Sequence, residues 1–152
     1  MIVYRITKKK YITDLTGTGA RLYGGRWNKK GVSILYTSET RALATVEYLV
    51  HVPLSMVPDD LSIASIQIPD GITAKAISTS NLPVDWKNYP APAELSELGN
   101  RWALTNGSLL LRVPSAVVEH EFNILINPAH PDIRHVFITY IEDYKLDSRL
   151  FS

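Results

Sequence analysis

The sequence contains no cysteine, which excludes a disulfide framework, a thiolate nucleophile and a cysteine-ligated zinc or iron–sulfur centre. It has no apolar run near the roughly twenty residues that a membrane-spanning helix needs, and its first residues lack the apolar stretch of a signal peptide. Sixteen basic and fifteen acidic residues leave a formal charge of +1, which is too small to favour nucleic-acid binding. We therefore expect a cytoplasmic protein that contacts neither a membrane nor nucleic acid directly.

Several familiar active-site motifs are also missing. Neither the Gly-x-x-x-x-Gly-Lys-Ser/Thr loop of nucleotide triphosphatases nor the Gly-x-Gly-x-x-Gly turn of Rossmann dehydrogenases occurs. The four histidines lack the spacing of metal ligands, so we expect no metal site; they are His51, His120, His130 and His135. Ser115 lies in Val-Pro-Ser-Ala and not in a Gly-x-Ser-x-Gly elbow, which argues against a serine hydrolase.

Length and periodicity predict a single domain, residues 1–152, of the α+β class. Segments rich in strand-forming residues predict strands at 2–6, 32–37, 61–68, 72–77, 108–113, 122–126 and 135–141. Apolar residues at helical spacing predict main helices at 39–50 and 93–104. Thr37 or Ser38 offers an N-cap to the first helix, and Asn106-Gly107 ends the second.

The most distinctive segment is Tyr23-Gly24-Gly25-Arg26-Trp27-Asn28. Adjacent glycines let backbone N–H groups approach a ligand phosphate, and Arg26 beside them supplies a planar cation that can hold two phosphate oxygens. The same residues could instead form a tight hairpin turn with a cation–π contact between Arg26 and an aromatic ring. These residues alone leave both interpretations open.

Glu47 is the candidate carboxylate. It follows Leu43 by four residues and precedes Val50 by three, which places it at the border of the apolar stripe of the predicted helix. From that position its side chain can point into the fold or along a cleft. The alternative is an ordinary solvated glutamate of a helix surface.

The order and spacing of several motifs resemble the RES-domain family, from residue 3 to about residue 141. In the first half the matching motifs are Tyr4-Arg5, Gly17-x-Gly19-Ala20, Gly24-Gly25-Arg26-Trp27-Asn28, Leu35-Tyr36-x-Ser38 and Ala42-Leu43-Ala44-x-x-Glu47. In the second half they are Gly99-Asn100-x-Trp102, Val113-Pro114-Ser115-Ala116-Val117-Val118 and Glu121-x-Asn123-x-Leu125-Ile126-Asn127-Pro128-x-His130.

The resemblance implies an ADP-ribosyltransferase-like fold, with a mixed, mainly antiparallel sheet and flanking helices. It implies the toxin of a bacterial type II toxin–antitoxin pair, which arrests growth by destroying NAD+ through hydrolysis or phosphorolysis. NAD+ is then the substrate, and no separate cofactor is needed. The implied partner is an Xre-type antitoxin with a helix-turn-helix, whose C-terminal part blocks the active site. Two alternatives remain, namely transfer of ADP-ribose to a protein and non-enzymatic nucleotide binding.

The resemblance maps the family's arginine onto Arg5 or Arg26, its glutamate onto Glu47 and its serine onto Ser115. In this interpretation Glu47 stabilises the oxocarbenium ion that develops on the ribose as nicotinamide leaves. Arg5 and Arg26 hold phosphates, because a guanidinium matches phosphate geometry and stays charged. Tyr36 packs against the nicotinamide or the ribose and orients it.

The predicted NAD+-binding set comprises Arg26, Gly25, Trp27, Ser115 and Asn123, and the predicted catalytic set comprises Glu47, Arg5 and Tyr36. For Ser115 and Asn123 we weigh a structural alternative, in which they form a strand-end turn and a β-bridge cap.

Overall fold

The fold is built on one sheet of seven strands in the computed structural model, which describes residues 1–151. The strands are β1 (Ile2–Lys8), β2 (Leu35–Ser38), β3 (Leu61–Gln67), β4 (Lys75–Ala76), β5 (Leu110–Pro114), β6 (Phe122–Ile126) and β7 (Phe137–Asp143). Their order across the sheet is β4-β5-β6-β2-β1-β3-β7, and only β4 and β5 are parallel neighbours. The predicted α+β class with a mainly antiparallel sheet is confirmed. The predicted domain, residues 1–152, extends one residue beyond the described range.

The longer helices agree with the predictions, whereas the shortest helix was not predicted. The helices are α1 (Thr18–Tyr23), α2 (Arg41–His51) and α3 (Ala93–Thr105). Helix α1 follows Gly17 and has no side-chain cap, so the sequence carries no start signal for it. Within residues 1–151, no helix combines the length and the hydropathy needed to cross a membrane.

The predicted cap of α2 is wrong. Thr40, and not Thr37 or Ser38, precedes the first helical residue, and its Oγ1 accepts a hydrogen bond of 3.0 Å from the Leu43 amide. Thr37 and Ser38 belong instead to strand β2, where both are buried. The end of α3 is as predicted, since Asn106 adopts a left-handed conformation with φ of 55° directly after Thr105.

The core lies on both faces of the sheet because neighbouring residues of a strand point to opposite sides. Leu110 and Ile124 belong to one buried cluster, which also contains Val3 and Ile66. Leu111 and Leu125 belong to the other, together with Trp27, Trp86, Leu95 and Trp102. Strand β5 is therefore buried on both faces, as its nearly continuous apolar sequence predicts.

Strand β1 connects the two halves of the sheet unevenly. It pairs with β3 over seven residues, from Ile2 opposite Gln67 to Lys8 opposite Leu61. Its pairing with β2 is limited to Tyr4 opposite Ser38. The sheet therefore opens between β1 and β2 beyond this single point of contact, and the opening provides space for a cleft.

Candidate active site

A cleft of about 930 Å³ lies at the opening between β1 and β2. Residues of β1, the 24–27 loop, β2, α2 and the loop at 87–92 line it, together with Pro114, Ala116, Val117 and Asn123. The predicted site residues Arg5, Gly25, Arg26, Tyr36 and Glu47 are all among the lining residues. The fold thus brings together side chains that lie as far apart in sequence as Arg5 and Asn123.

Glu47 is the carboxylate of this cleft. It lies on α2, is half-buried, and lines the wall on the side of β6 and the 114–117 turn. Its Oε1 accepts a hydrogen bond of 2.7 Å from the Ser115 hydroxyl and another of 2.7 Å from the Asn123 amide. Glu47 is therefore held by two neutral donors, and the interpretation as a freely solvated glutamate is wrong.

Ser115 supports Glu47 from behind the cleft wall. Its side chain is buried at 2% exposure, and its Oγ accepts hydrogen bonds from the amides of Val117 at 3.1 Å and Val118 at 3.0 Å. Because both amides donate to Oγ, the hydroxyl group can donate its own proton to Glu47. Ser115 thus forms the expected strand-end turn and also orients the carboxylate; its predicted contact with NAD+ stays a prediction.

Asn123 presents its amide to the cleft from strand β6. It is paired in register with Ser38 of β2, and its Oδ1 accepts a hydrogen bond of 2.7 Å from the Ser38 hydroxyl. Its Nδ2 donates to Glu47. The amide therefore links Ser38 to the carboxylate, a connection between residues that are far apart in the sequence.

The Gly-Gly-Arg-Trp-Asn segment does form a tight hairpin turn. Gly25 and Asn28 make an isolated antiparallel bridge, with hydrogen bonds of 3.0 and 3.4 Å between their backbones. A Cβ on Gly25 would lie 2.8 Å from the Tyr36 hydroxyl and 3.0 Å from Asn28 Oδ1, so only glycine fits without displacing either group. The turn interpretation and the ligand-binding interpretation are compatible, because this turn lines the cleft.

Tyr36 holds that turn in place. Its hydroxyl donates a hydrogen bond of 2.7 Å to Asn28 Oδ1 and accepts one of 3.0 Å from the Trp27 amide. Burial raises the pKa of the Tyr36 phenol well above its ordinary value, so the group stays protonated. The hydroxyl is thus already engaged within the protein, and the predicted packing of the ring against nicotinamide or ribose stays a prediction.

Arg26 lies in the electrostatic field of Glu47. Its Nη1 donates to the carbonyl oxygens of Trp86 at 2.7 Å and Asn88 at 3.2 Å, which ties the turn to the loop that precedes α3. Burial lowers the pKa of the Arg26 guanidinium, while Glu47 and Tyr36 oppose that shift, and the group remains a cation. The described residues show no cation–π contact of Arg26.

Arg5 lies on β1 and has a different carboxylate neighbour. Its Nη1 donates to the carbonyl oxygens of Tyr11 at 3.1 Å and Ile12 at 3.3 Å. Burial lowers the pKa of Arg5, and Asp14 opposes that shift. Glu47 thus opposes the lowering of the pKa of Arg26, whereas Asp14 does so for Arg5.

Comparison with known proteins decides the family. The model of the RES domain family matches residues 2–147, which is nearly the whole chain. The chain belongs to the RES-domain family. The sequence resemblance and the match thus agree on the same family.

Relatives of this RES domain are similar over most of their length. It is 40% identical over 139 residues to the "Prs ADP-ribosylating toxin" of Sphingobium sp., covering 90% of this chain and 86% of that protein. It is 39% identical over 154 residues to "Toxin Res" of Photorhabdus laumondii, covering 99% of this chain and 97% of that protein. Among solved structures, the M. tuberculosis MbcT-MbcA toxin–antitoxin complex contains a chain of the same fold, with a TM-score of 0.72 and 18% identity over 99% of this chain and 86% of that one.

Two predicted site residues of the RES domain have clear packing roles. The Trp27 side chain is 3% exposed and packs against the cluster that contains Trp86, Leu95 and Trp102. Gly25 lines the cleft at the point where the turn touches Tyr36. The predicted contacts of Trp27 and Gly25 with a ligand stay predictions.

Ser38 and Lys87 are polar cleft residues that were not predicted to belong to the site. Ser38 was predicted to cap a helix and occurs in the family motif Leu35-Tyr36-x-Ser38, which places it on the same strand face as Tyr36, but no role in the site was predicted for it. Lys87 lines the cleft from the loop before α3, where its Nζ pairs with Glu119 at 3.1 Å. The sequence around Lys87 carries no signal for this position, because the loop reaches the cleft only through tertiary folding.

Replacement of Tyr36 by phenylalanine should lower the free energy of unfolding of the RES domain by about 2 kcal/mol, because Asn28 and the Trp27 amide lose a buried partner. Since the folded-state pKa of the phenol is raised, its contribution to stability is complete below the unfolded pKa of about 10 and declines as the pH rises past it. Urea denaturation at pH 7 and at alkaline pH measures both effects. The matched control is Tyr140→Phe on the exposed face of β7; an equal loss in both variants would contradict the assignment.

Proposed function

We propose that this RES domain is a toxin that cleaves the bond between nicotinamide and ribose in cytoplasmic NAD+. The observation that carries the proposal is the Glu47 carboxylate, held by Ser115 and Asn123 in a cleft that also contains two arginines. Membership of the RES-domain family supports it, as do relatives that are themselves called toxins.

The chemistry explains why one carboxylate suffices. Nicotinamide leaves NAD+ as a neutral molecule, because the electron pair of the broken C–N bond neutralises the pyridinium nitrogen. No strong general acid is therefore needed. The enzyme lowers the barrier mainly by stabilising the positive charge that develops on the ribose in the transition state. The negative charge of Glu47 stabilises that oxocarbenium ion, in the way that a carboxylate does in glycoside hydrolysis.

The remaining residues would position the substrate. Arg26, which lies in the field of Glu47, would hold the phosphate nearer to the reacting ribose, and Arg5 on β1 would hold the other phosphate. Tyr36 would restrict the nicotinamide or ribose with its ring face. NAD+ is the substrate in this scheme, and no separate cofactor takes part.

Water or inorganic phosphate would complete the reaction. In hydrolysis the oxygen of water bonds to the ribose carbon, a proton passes to solvent, and ADP-ribose is released. In phosphorolysis a phosphate oxygen forms that bond, and the product is ADP-ribose with an added phosphate. Both reactions release one nicotinamide per NAD+.

A second candidate function is transfer of ADP-ribose to a protein. The observation that favours it is the name of the 40% identical relative, an ADP-ribosylating toxin. The same cleft would serve, with a nucleophilic side chain of the target protein in place of water or phosphate.

The test is incubation of the purified chain with NAD+ and detection of free nicotinamide by chromatography, with and without phosphate. Release in both conditions supports hydrolysis, and release that depends on phosphate supports phosphorolysis. If release requires a bacterial lysate, mass spectrometry for ADP-ribosylated protein supports transfer. Tight NAD+ binding without any release would instead support a non-enzymatic nucleotide-binding module.

We further propose that an Xre-type antitoxin with a helix-turn-helix covers the cleft and prevents growth arrest. Two exposed tyrosines line the cleft, Tyr23 at 79% and Tyr89 at 85% exposure, and exposed tyrosine is enriched at protein interfaces. The solved complex that shares this fold is also a toxin–antitoxin pair. Co-expression with the protein of a neighbouring helix-turn-helix gene should restore growth and give a complex that releases no nicotinamide.

A further inference from the structure

We propose that Ser38 is a positioning residue of the reaction, which acts on Glu47 through Asn123. Its hydroxyl would fix the orientation of the Asn123 carboxamide, and the carboxamide would hold the carboxylate. The kinetic consequence of this inference rests on the proposed function. The two hydrogen bonds, from Ser38 to Asn123 and from Asn123 to Glu47, do not depend on the substrate.

Both hydrogen bonds that connect Ser38 to Glu47 are short. Ser38 Oγ donates to Asn123 Oδ1 at 2.7 Å, and Asn123 Nδ2 donates to Glu47 Oε1 at 2.7 Å. Strands β2 and β6 place Ser38 directly opposite Asn123, so the backbone register sets the first contact. Ser38 is 5% exposed, so its hydroxyl is largely shielded from bulk solvent.

The direction of donation follows from the charge of Glu47. A carboxamide has a donating and an accepting end, and a rotation by half a turn would place Oδ1 against the carboxylate oxygen, which is repulsive. A serine hydroxyl can donate or accept, so by itself it permits both orientations. Because Glu47 requires the amide nitrogen, Ser38 must donate to Oδ1, and this bond holds the amide in its productive orientation.

Ser115 forms a separate second support of the same oxygen. Its hydroxyl oxygen accepts hydrogen bonds from the amides of Val117 and Val118, and among the described residues the hydroxyl donates to Glu47 and not to Ser38 or Asn123. Loss of the Ser38 hydroxyl should therefore leave the Ser115 bond to Glu47 intact but allow the Asn123 amide to swing. The carboxylate, held by one donor instead of two, should then shift relative to the ribose. A misplacement of this kind affects the reaction more than it affects binding.

The kinetic test is a double-mutant cycle of Ser38→Ala and Asn123→Ala, measured as nicotinamide release at varied NAD+ concentrations. We expect Ser38→Ala to lower kcat about tenfold with KM nearly unchanged, which corresponds to the loss of one hydrogen bond of about 1.4 kcal/mol. In the Asn123→Ala background the same change should lower kcat less than twofold, because the residue through which Ser38 acts is gone.

The matched control is Ser62→Ala on β3. Ser62 is fully buried, and within the described chain its Oγ has no hydrogen-bond partner, so removal of this hydroxyl should leave kcat unchanged. Two results would overturn the inference. One is an unchanged kcat of Ser38→Ala, and the other is an equal loss in the presence and absence of Asn123. A raised KM with unchanged kcat would mean that Ser38, which also lines the cleft, contacts NAD+ directly.

A spectroscopic readout separates this inference from the proposed function. In protein labelled with ¹⁵N-asparagine, the side-chain amide signals of Asn123, identified by their loss in Asn123→Ala, should shift in Ser38→Ala and in Glu47→Gln but not in Ser62→Ala. If the wild-type chain releases no nicotinamide, the proposed function fails while these shifts still support the positioning contact. If the signals of Asn123 do not respond to Ser38→Ala, the positioning role is rejected whatever the activity.

Discussion

Replacement of Glu47 by glutamine should lower nicotinamide release from NAD+ by about a thousandfold without unfolding the protein. Glutamine has nearly the same shape, and its Oε1 can still accept the hydrogen bonds of Ser115 and Asn123. The substitution therefore removes the negative charge and little else. Since this charge is the proposed stabiliser of the oxocarbenium ion, the loss should appear in kcat.

The measurement is the release of nicotinamide by wild type and variant at saturating NAD+, with circular dichroism and urea denaturation as checks of the fold. Glu94→Gln serves as the matched control, because Glu94 is an exposed glutamate in the first turn of α3 and is not among the residues that line the cleft. It should retain wild-type activity. A Glu47→Gln protein with full activity would remove Glu47 from the mechanism. Growth arrest on expression should be lost in parallel with the enzymatic activity.

Replacement of Gly99 by alanine should have the largest effect on stability, with a loss of about 4 kcal/mol in the free energy of unfolding. Gly99 lies inside α3, where the turn that carries Arg26 packs against the helix. A Cβ at this position would lie 1.7 Å from the carbonyl oxygen of Trp27 and 2.8 Å from its carbonyl carbon. Both are backbone atoms, so the turn or the helix would have to move.

The sign of this effect distinguishes tertiary packing from helix propensity. In an isolated helix, alanine in place of glycine would stabilise by about 1 kcal/mol. The matched control is Gly107→Ala, where an added Cβ meets no atom within 4 Å. Urea denaturation of both variants, together with the yield of soluble protein, measures the difference. Equal stability of Gly99→Ala and the wild type would contradict the packing of α3 against Trp27.

A displaced turn should also impair the site. The turn that would yield to the added methyl group contains Arg26 and borders Tyr36, so nicotinamide release should fall even in the fraction of Gly99→Ala protein that folds. The control Gly107→Ala should keep its activity. A stable Gly99→Ala protein with a reduced turnover would show that the turn had moved. An unstable protein with an unchanged turnover per folded molecule would show that the substitution affects only the packing of the core and not the site.

Much of the secondary structure could be predicted because it depends on local patterns. Alternating apolar residues predicted β3. A nearly continuous run of apolar residues predicted β5 and its burial on both faces. Helices α2 and α3 were predicted from the 3.6-residue spacing of their apolar residues, and the border position of Glu47 on α2 followed from the same spacing. Helix α1 was missed because it contains glycine and has no side-chain cap, so no local signal marks its start.

The sequence by itself determined the family, the class of fold, the main helices and the identity of the candidate carboxylate and cations. Only the tertiary structure decided that Tyr36 holds the turn, that Arg26 is the arginine in the field of Glu47, and that Ser38 bonds to Asn123. The physical reason is distance along the chain. Local periodicity extends over a few residues, whereas the bonds to Glu47 join residues 68 and 76 positions apart, and that from Ser38 to Asn123 spans 85.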